Sequence, residues 1–65
     1  MTMGEALYRL QAASLPHVRA ELRHSPDAAL EWLRRIGKRV DALVDAGDVD
    51  GVLELCVLLE AGRAA

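Results

Sequence analysis

The sequence predicts an all-α fold, a small bundle of three to four helices ending in an antiparallel helical hairpin. Three observations carry that reading. Of the 65 residues, 11 are Ala and 11 are Leu, both strong helix formers, whereas Val and Ile together number 7 and Phe is absent. Helix-start signals recur at Thr2, Ser25 and Asp48. Between these signals the apolar residues repeat at helical spacing. A chain this short supports one hydrophobic core, so residues 1–65 are expected to form a single domain.

Thr2-Met3-Gly4-Glu5 has the form of a capping box and starts a helix near Met3. Along it Tyr8, Ala12, Leu15, Val18 and Leu22 keep one apolar phase, widened by Leu7 and Leu10, and that phase runs straight through Pro16. Proline in a helix interior lacks an N–H and crowds the preceding turn, at a cost of about 3 kcal/mol. Ser14 can instead cap a fresh helix with Pro16 in its first turn. A break that supplies the fourth helix is therefore preferred here, with one continuous, kinked helix as the alternative.

Ser25-Pro26-Asp27 combines a capping serine, a proline at the first helical position and a carboxylate at the positive end of the dipole. The longest helix is predicted from Pro26 to about Ala46. At roughly 100° per residue, its residues Ala29, Leu30, Trp32, Leu33, Ile36, Gly37, Val40, Leu43 and Val44 fall in one arc of about 160°. Gly37 costs about 1 kcal/mol relative to Ala, and its place on that arc predicts a close helix crossing. Gly47 is placed for a left-handed C-cap, and Asp48 caps the next helix. That last helix, about Val49 to Ala61, is apolar almost all round, with Glu54 and Glu60 its mid-helix charges. Gly62 closes it, Arg63 complements its negative end, and Ala64-Ala65 is expected to fray.

The charge balance is 8 Lys and Arg against 10 Asp and Glu, a net charge of -2, which argues against nucleic acid or an anionic membrane as partner. Cys56 is the only cysteine and lies in an apolar run, where a thiol behaves as a small hydrophobe. No stretch has the form of a signal peptide or a membrane span. These features together predict a soluble, uncleaved, cytoplasmic chain. Arg exceeds Lys by 7 to 1, a bias expected of a GC-rich bacterial or phage genome.

Candidate chemistry is sparse. His17, Glu21 and His24 can share a helical face, a permissive spacing for a divalent metal, but a fourth ligand is missing and Arg19 and Arg23 stand close. Gly47-Asp48-Val49-Asp50-Gly51 lacks the remaining ligands of a calcium loop. Ser14, Ser25 and Thr2 serve better as caps than as nucleophiles. No metal, cofactor or catalytic residue is therefore assigned, and no enzyme is expected.

The basic run Arg34, Arg35, Lys38 and Arg39 lies opposite the apolar arc, with Glu31, Asp41 and Asp45 near enough to pair with it. Together with the two aromatics Tyr8 and Trp32, these four cations are the predicted partner-binding residues, although Trp32, at the edge of the apolar arc, reads more readily as core than as an exposed anchor. The all-round apolarity of the last helix predicts a homodimer packed through Val52, Leu53, Cys56, Val57 and Leu59. The resulting expectation is a non-enzymatic protein–protein interaction module of inhibitor, immunity or adaptor type. The alternative is a DNA-associated regulator or antitoxin using the Arg34 to Arg39 stripe, although a helix-turn-helix here would lead with Asp27 and Glu31. For the fold itself, the far-UV circular dichroism spectrum should be dominated by helix; one dominated by strand would contradict it.

Overall fold

The structure, a computed structural model, describes residues 1–62. It contains three helices, α1 (Met3–His24), α2 (Pro26–Asp45) and α3 (Val49–Glu60), and no strand among the described residues. The expectations for Arg63 and for Ala64-Ala65 lie outside the described residues.

Each helix begins at the cap the sequence marks. Thr2 Oγ1 accepts from the Glu5 N–H at 3.2 Å while Glu5 Oε1 accepts from the Thr2 N–H at 3.0 Å, completing the capping box. Ser25 is the single residue between α1 and α2, and it serves both. Its N–H donates to the Glu21 carbonyl at 3.1 Å, and its Oγ accepts from the Ala28 N–H at 3.0 Å. Asp48 Oδ1 accepts from the Gly51 N–H at 2.8 Å and opens α3. Between α2 and α3, Gly47 takes φ 65°, a left-handed conformation in which a side chain would be strained.

The predicted break at Pro16 does not occur. α1 runs 22 residues without interruption, and Ser14, expected to cap a new helix, donates its hydroxyl back to the Leu10 carbonyl at 2.8 Å. The reason lies in the packing on either side of the proline. Ala13 is buried before it, and beyond it Val18 packs against the core while His17 stacks on Trp32. A break would throw one of these groups out of phase. Pro16 itself is exposed, at the edge of an open cleft that it lines with Ala13, His17, Leu59 and Glu60.

The core is built from Ala6, Leu10 and Ala13 of α1, Trp32 and Ile36 of α2, and Val52, Leu55, Cys56 and Leu59 of α3. α1 is the main neighbour of both other helices, and the contact between α2 and α3 is smaller. The short turn at Gly47 thus joins two helices that are each held chiefly by a third. Three small residues on the inner face of α1 and α2, Ala6, Ala13 and Ala29, are nearly or fully buried. They allow short separations between backbones.

The glycine that fits closely within the protomer is Gly51, where the sequence pointed to Gly37. A Cβ at Gly51 would lie 2.6 Å from Leu43 Cδ2 and would collide with the Asp48 carboxylate that caps the helix. At Gly37 a Cβ would meet nothing within 4 Å. We therefore expect Gly51→Ala to destabilise the protein by about 1 kcal/mol, the usual cost of a lost cap. Pro16→Ala should stabilise it by about 2 kcal/mol, the helix-interior penalty reduced by the looser unfolded chain. Urea unfolding of both variants tests the pair of signs.

Candidate interaction surface

The sequence-predicted contact residues separate into exposed and buried sets. Tyr8 is 77% exposed, and Arg34, Arg35, Lys38 and Arg39 are all exposed along α2. Arg34 pairs with Glu31 at 3.1 Å, one turn away, where both side chains remain largely in water. Such a pair contributes only a few tenths of a kcal/mol, about 0.3–0.5.

Trp32 is not part of this surface. Only 4% of it is exposed, and its indole stacks on the His17 ring with centroids 5.5 Å apart and planes 3° from parallel. The physical reason is its position beside Ile36 on the inner side of α2, where the only aromatic ring large enough to fill the junction of three helices is required. The proposed dimer residues are likewise divided. Val52, Cys56 and Leu59 are 0%, 0% and 3% exposed and form the protomer's own core, so they cannot line a contact with a second chain. Leu53 is half-buried, and Val57 remains 55% exposed. These two, with Asp50, Glu54 and Leu58, line a shallow groove of about 630 Å³ on the outer face of α3.

His17 has a structural use that the sequence did not disclose. Its Nε2 lies 2.8 Å from the Leu59 carbonyl oxygen. A carbonyl can only accept, so Nε2 carries the proton and donates. The imidazole thereby ties the last turn of α3 to α1 while its face supports Trp32. Among the described residues no group of three His, Cys, Asp or Glu side chains is placed to hold a metal ion, and no helix is long and apolar enough to cross a membrane.

Two further long-range contacts fix α3 on α1. Arg9 meets Glu60 through paired hydrogen bonds, Nε to Oε2 at 3.0 Å and Nη2 to Oε1 at 2.6 Å. Cys56 Sγ lies 3.7 Å from the Ala6 carbonyl oxygen, and burial pushes its thiol above the usual range, which keeps it protonated and unreactive. No local pattern links Arg9 to Glu60, 51 residues apart.

The apolar phase read along α1 is not its buried face: Tyr8, Ala12, Leu15 and Leu22 are exposed, and Ala6, Leu10 and Ala13 are buried instead. On α1, Leu15 and Leu22 are 48% and 52% exposed and continue the row that begins at Tyr8. On α2, Leu30, Leu33 and Val44 are 61%, 44% and 39% exposed. Arg9, Ala13 and His17 mark the flank of α1 that meets α3, and Trp32 and Leu43 mark the corresponding flank of α2. Helical spacing puts both exposed rows on the opposite flanks. They border one face of the α1–α2 pair, the face away from α3.

No protein-family model matches the chain, and neither a curated protein nor a solved structure shows significant similarity to it.

The carboxyls of Glu60 and Glu5 both titrate below the ordinary value of 4.5, Glu60 chiefly through its hydrogen bonds from Arg9 and Glu5 chiefly through the Thr2 N–H. A lowered folded-state pKa contributes stability that is present above the unfolded value and is lost as pH falls through the folded one. Thermal stability should therefore drop on acidification below about pH 4.5. The double variant Glu5→Gln, Glu60→Gln should be less stable at neutral pH and should show a flatter acid limb. An unchanged slope would remove both groups from the account.

Proposed function

We propose that this protein is a small non-enzymatic helical interaction module, of inhibitor, immunity or adaptor type, that acts as a homodimer by occupying the surface of another protein. The observation that carries this reading is the uncovered apolar row Tyr8, Leu15 and Leu22 of α1 beside Leu30 and Leu33 of α2, all more than 40% exposed. Isolated exposed apolar residues are ordinary, but rows on adjacent helices of so small a domain form a patch of the kind found at protein contacts. Tyr8 heads the row and borders a dent formed with Gln11, Ala12 and Leu15. Tyrosine is among the residue types in which contact energy concentrates; Arg35 and Arg39 stand exposed on the far flank of the neighbouring helix, outside this row.

The nucleic-acid alternative has weaker support. The basic residues of α2 are bracketed by Asp27 and Glu31 before them and Asp41 and Asp45 after them, and the whole chain is acidic. Steering toward an acidic patch on a protein needs only the local cations.

The test is affinity capture from the native host followed by calorimetric titration of the purified pair. A single host protein should bind the wild type, and Tyr8→Ala combined with Leu15→Ala, both exposed on one row of α1, should weaken the complex at least about tenfold with an unchanged circular dichroism spectrum. Unchanged affinity in that variant would show that this surface is not the one used.

A further inference from the structure

The row along α2 has an internal symmetry that identifies its occupant. Leu30, Leu33, Gly37, Val40 and Val44 follow the spacing of a coiled-coil seam. Leu30, Leu33 and Val44 are exposed, Val40 is half-buried, and the space above Gly37 is open. The row is two-fold symmetric about Gly37 to within one residue. Leu30 and Val44 stand seven residues before and after it, and Leu33 and Val40 stand four before and three after. Arg34 and Asp41, of opposite charge, stand three before and four after it, seven residues apart and thus on one flank of the row.

We infer that the homodimer of the preceding reading is built on this face, with α2 of one copy lying antiparallel against α2 of a second copy and the two-fold axis passing at Gly37. That operation sets each Leu30 level with the partner's Val44 and each Leu33 within one residue of the partner's Val40, so that in both pairs a larger side chain meets a smaller one. It likewise brings each Arg34 within one residue of the partner's Asp41, twice. A parallel pairing would carry this flank to opposite sides of the seam, set it against Ile36 and Leu43, and leave both charges without a counterpart across the contact. Gly37 meets Gly37 at the crossing, where the absence of side chains lets the helices approach to about 8 Å, the near end of the usual range. This accounts for a helix-interior glycine that no contact within the protomer requires. An unrelated partner would have no reason to match a sequence that complements its own reverse.

The experiment is sedimentation equilibrium of the purified full chain across the micromolar range, with circular dichroism on every variant. Wild type should be a dimer of twice the chain mass. Leu30→Glu, at a position 61% exposed, should be a folded monomer. Arg34→Asp should weaken the dimer about tenfold by setting Asp against Asp, and Arg34→Asp with Asp41→Arg should recover affinity to within about threefold of wild type. A wild-type dimer indifferent to Leu30→Glu and Arg34→Asp but dissociated by Val57→Glu overturns this face and leaves the homodimer standing on α3. A folded wild-type monomer at about 100 μM overturns the dimer altogether, while the contact with a host protein would still be decided by its own titration.

Discussion

The imidazole of His17 is where the three helices are joined. It lies on α1, its face supports Trp32 of α2, and its Nε2–H donates to the carbonyl of Leu59 at the end of α3. The Leu59 carbonyl already accepts from the Gly62 N–H at 3.0 Å, so the imidazole adds a second bond that ties it to α1, and a Trp ring without a flat neighbour would leave a gap at the junction. One side chain makes both contacts. The continuity of α1 follows from the same requirement, because a break at Pro16 would fall immediately before His17 and release it from both contacts. An interior proline is tolerated here because its ring stays exposed and the groups on either side of it are held by other helices.

Elements defined by local chemistry were legible in the sequence. Thr2 with Glu5, Ser25 with Pro26, and Asp48 each fix a helix start through hydrogen bonds spanning three residues, so the pattern is contained in a few adjacent positions. Pro16 was misread because its cost is local and visible while the compensation is tertiary. The Gly37 reading failed for a related reason. A glycine on an apolar arc shows that something approaches, but the sequence does not say whether the approaching backbone belongs to the same chain. Gly51, which does the close packing within the protomer, sits in a cap turn where glycine already has an explanation.

The dimer residues expected on α3 show where reasoning from hydrophobicity stops. An all-round apolar helix does demand cover on several sides, and α1 and α2 provide it for Val52, Leu55, Cys56 and Leu59. The short helix therefore uses up the inner faces of the longer ones. What it cannot do, with 12 residues against helices of 22 and 20, is extend over both flanks of the α1–α2 pair. Val57 stays open on α3, but most of the uncovered apolar surface lies on α1 and α2, where geometry leaves it.

That placement also changes what the charged residues are for. Read along the sequence, Arg34 to Arg39 form a basic cluster whose natural counterpart is an anion. Placed on α2, they differ in neighbourhood: Arg34 borders the exposed row with Asp41, whereas Arg35 and Arg39 lie on the other side, toward the Trp32 edge of the helix. Charges at the rim of an apolar contact act on orientation and encounter more than on affinity. Arg34 and Asp41 are therefore suited to set the direction in which a second α2 lies down, and Arg35 and Arg39 remain free to steer a different, acidic protein. Two contacts with different partners can be carried by one helix of 20 residues because its apolar arc is wider than the core beneath it can cover.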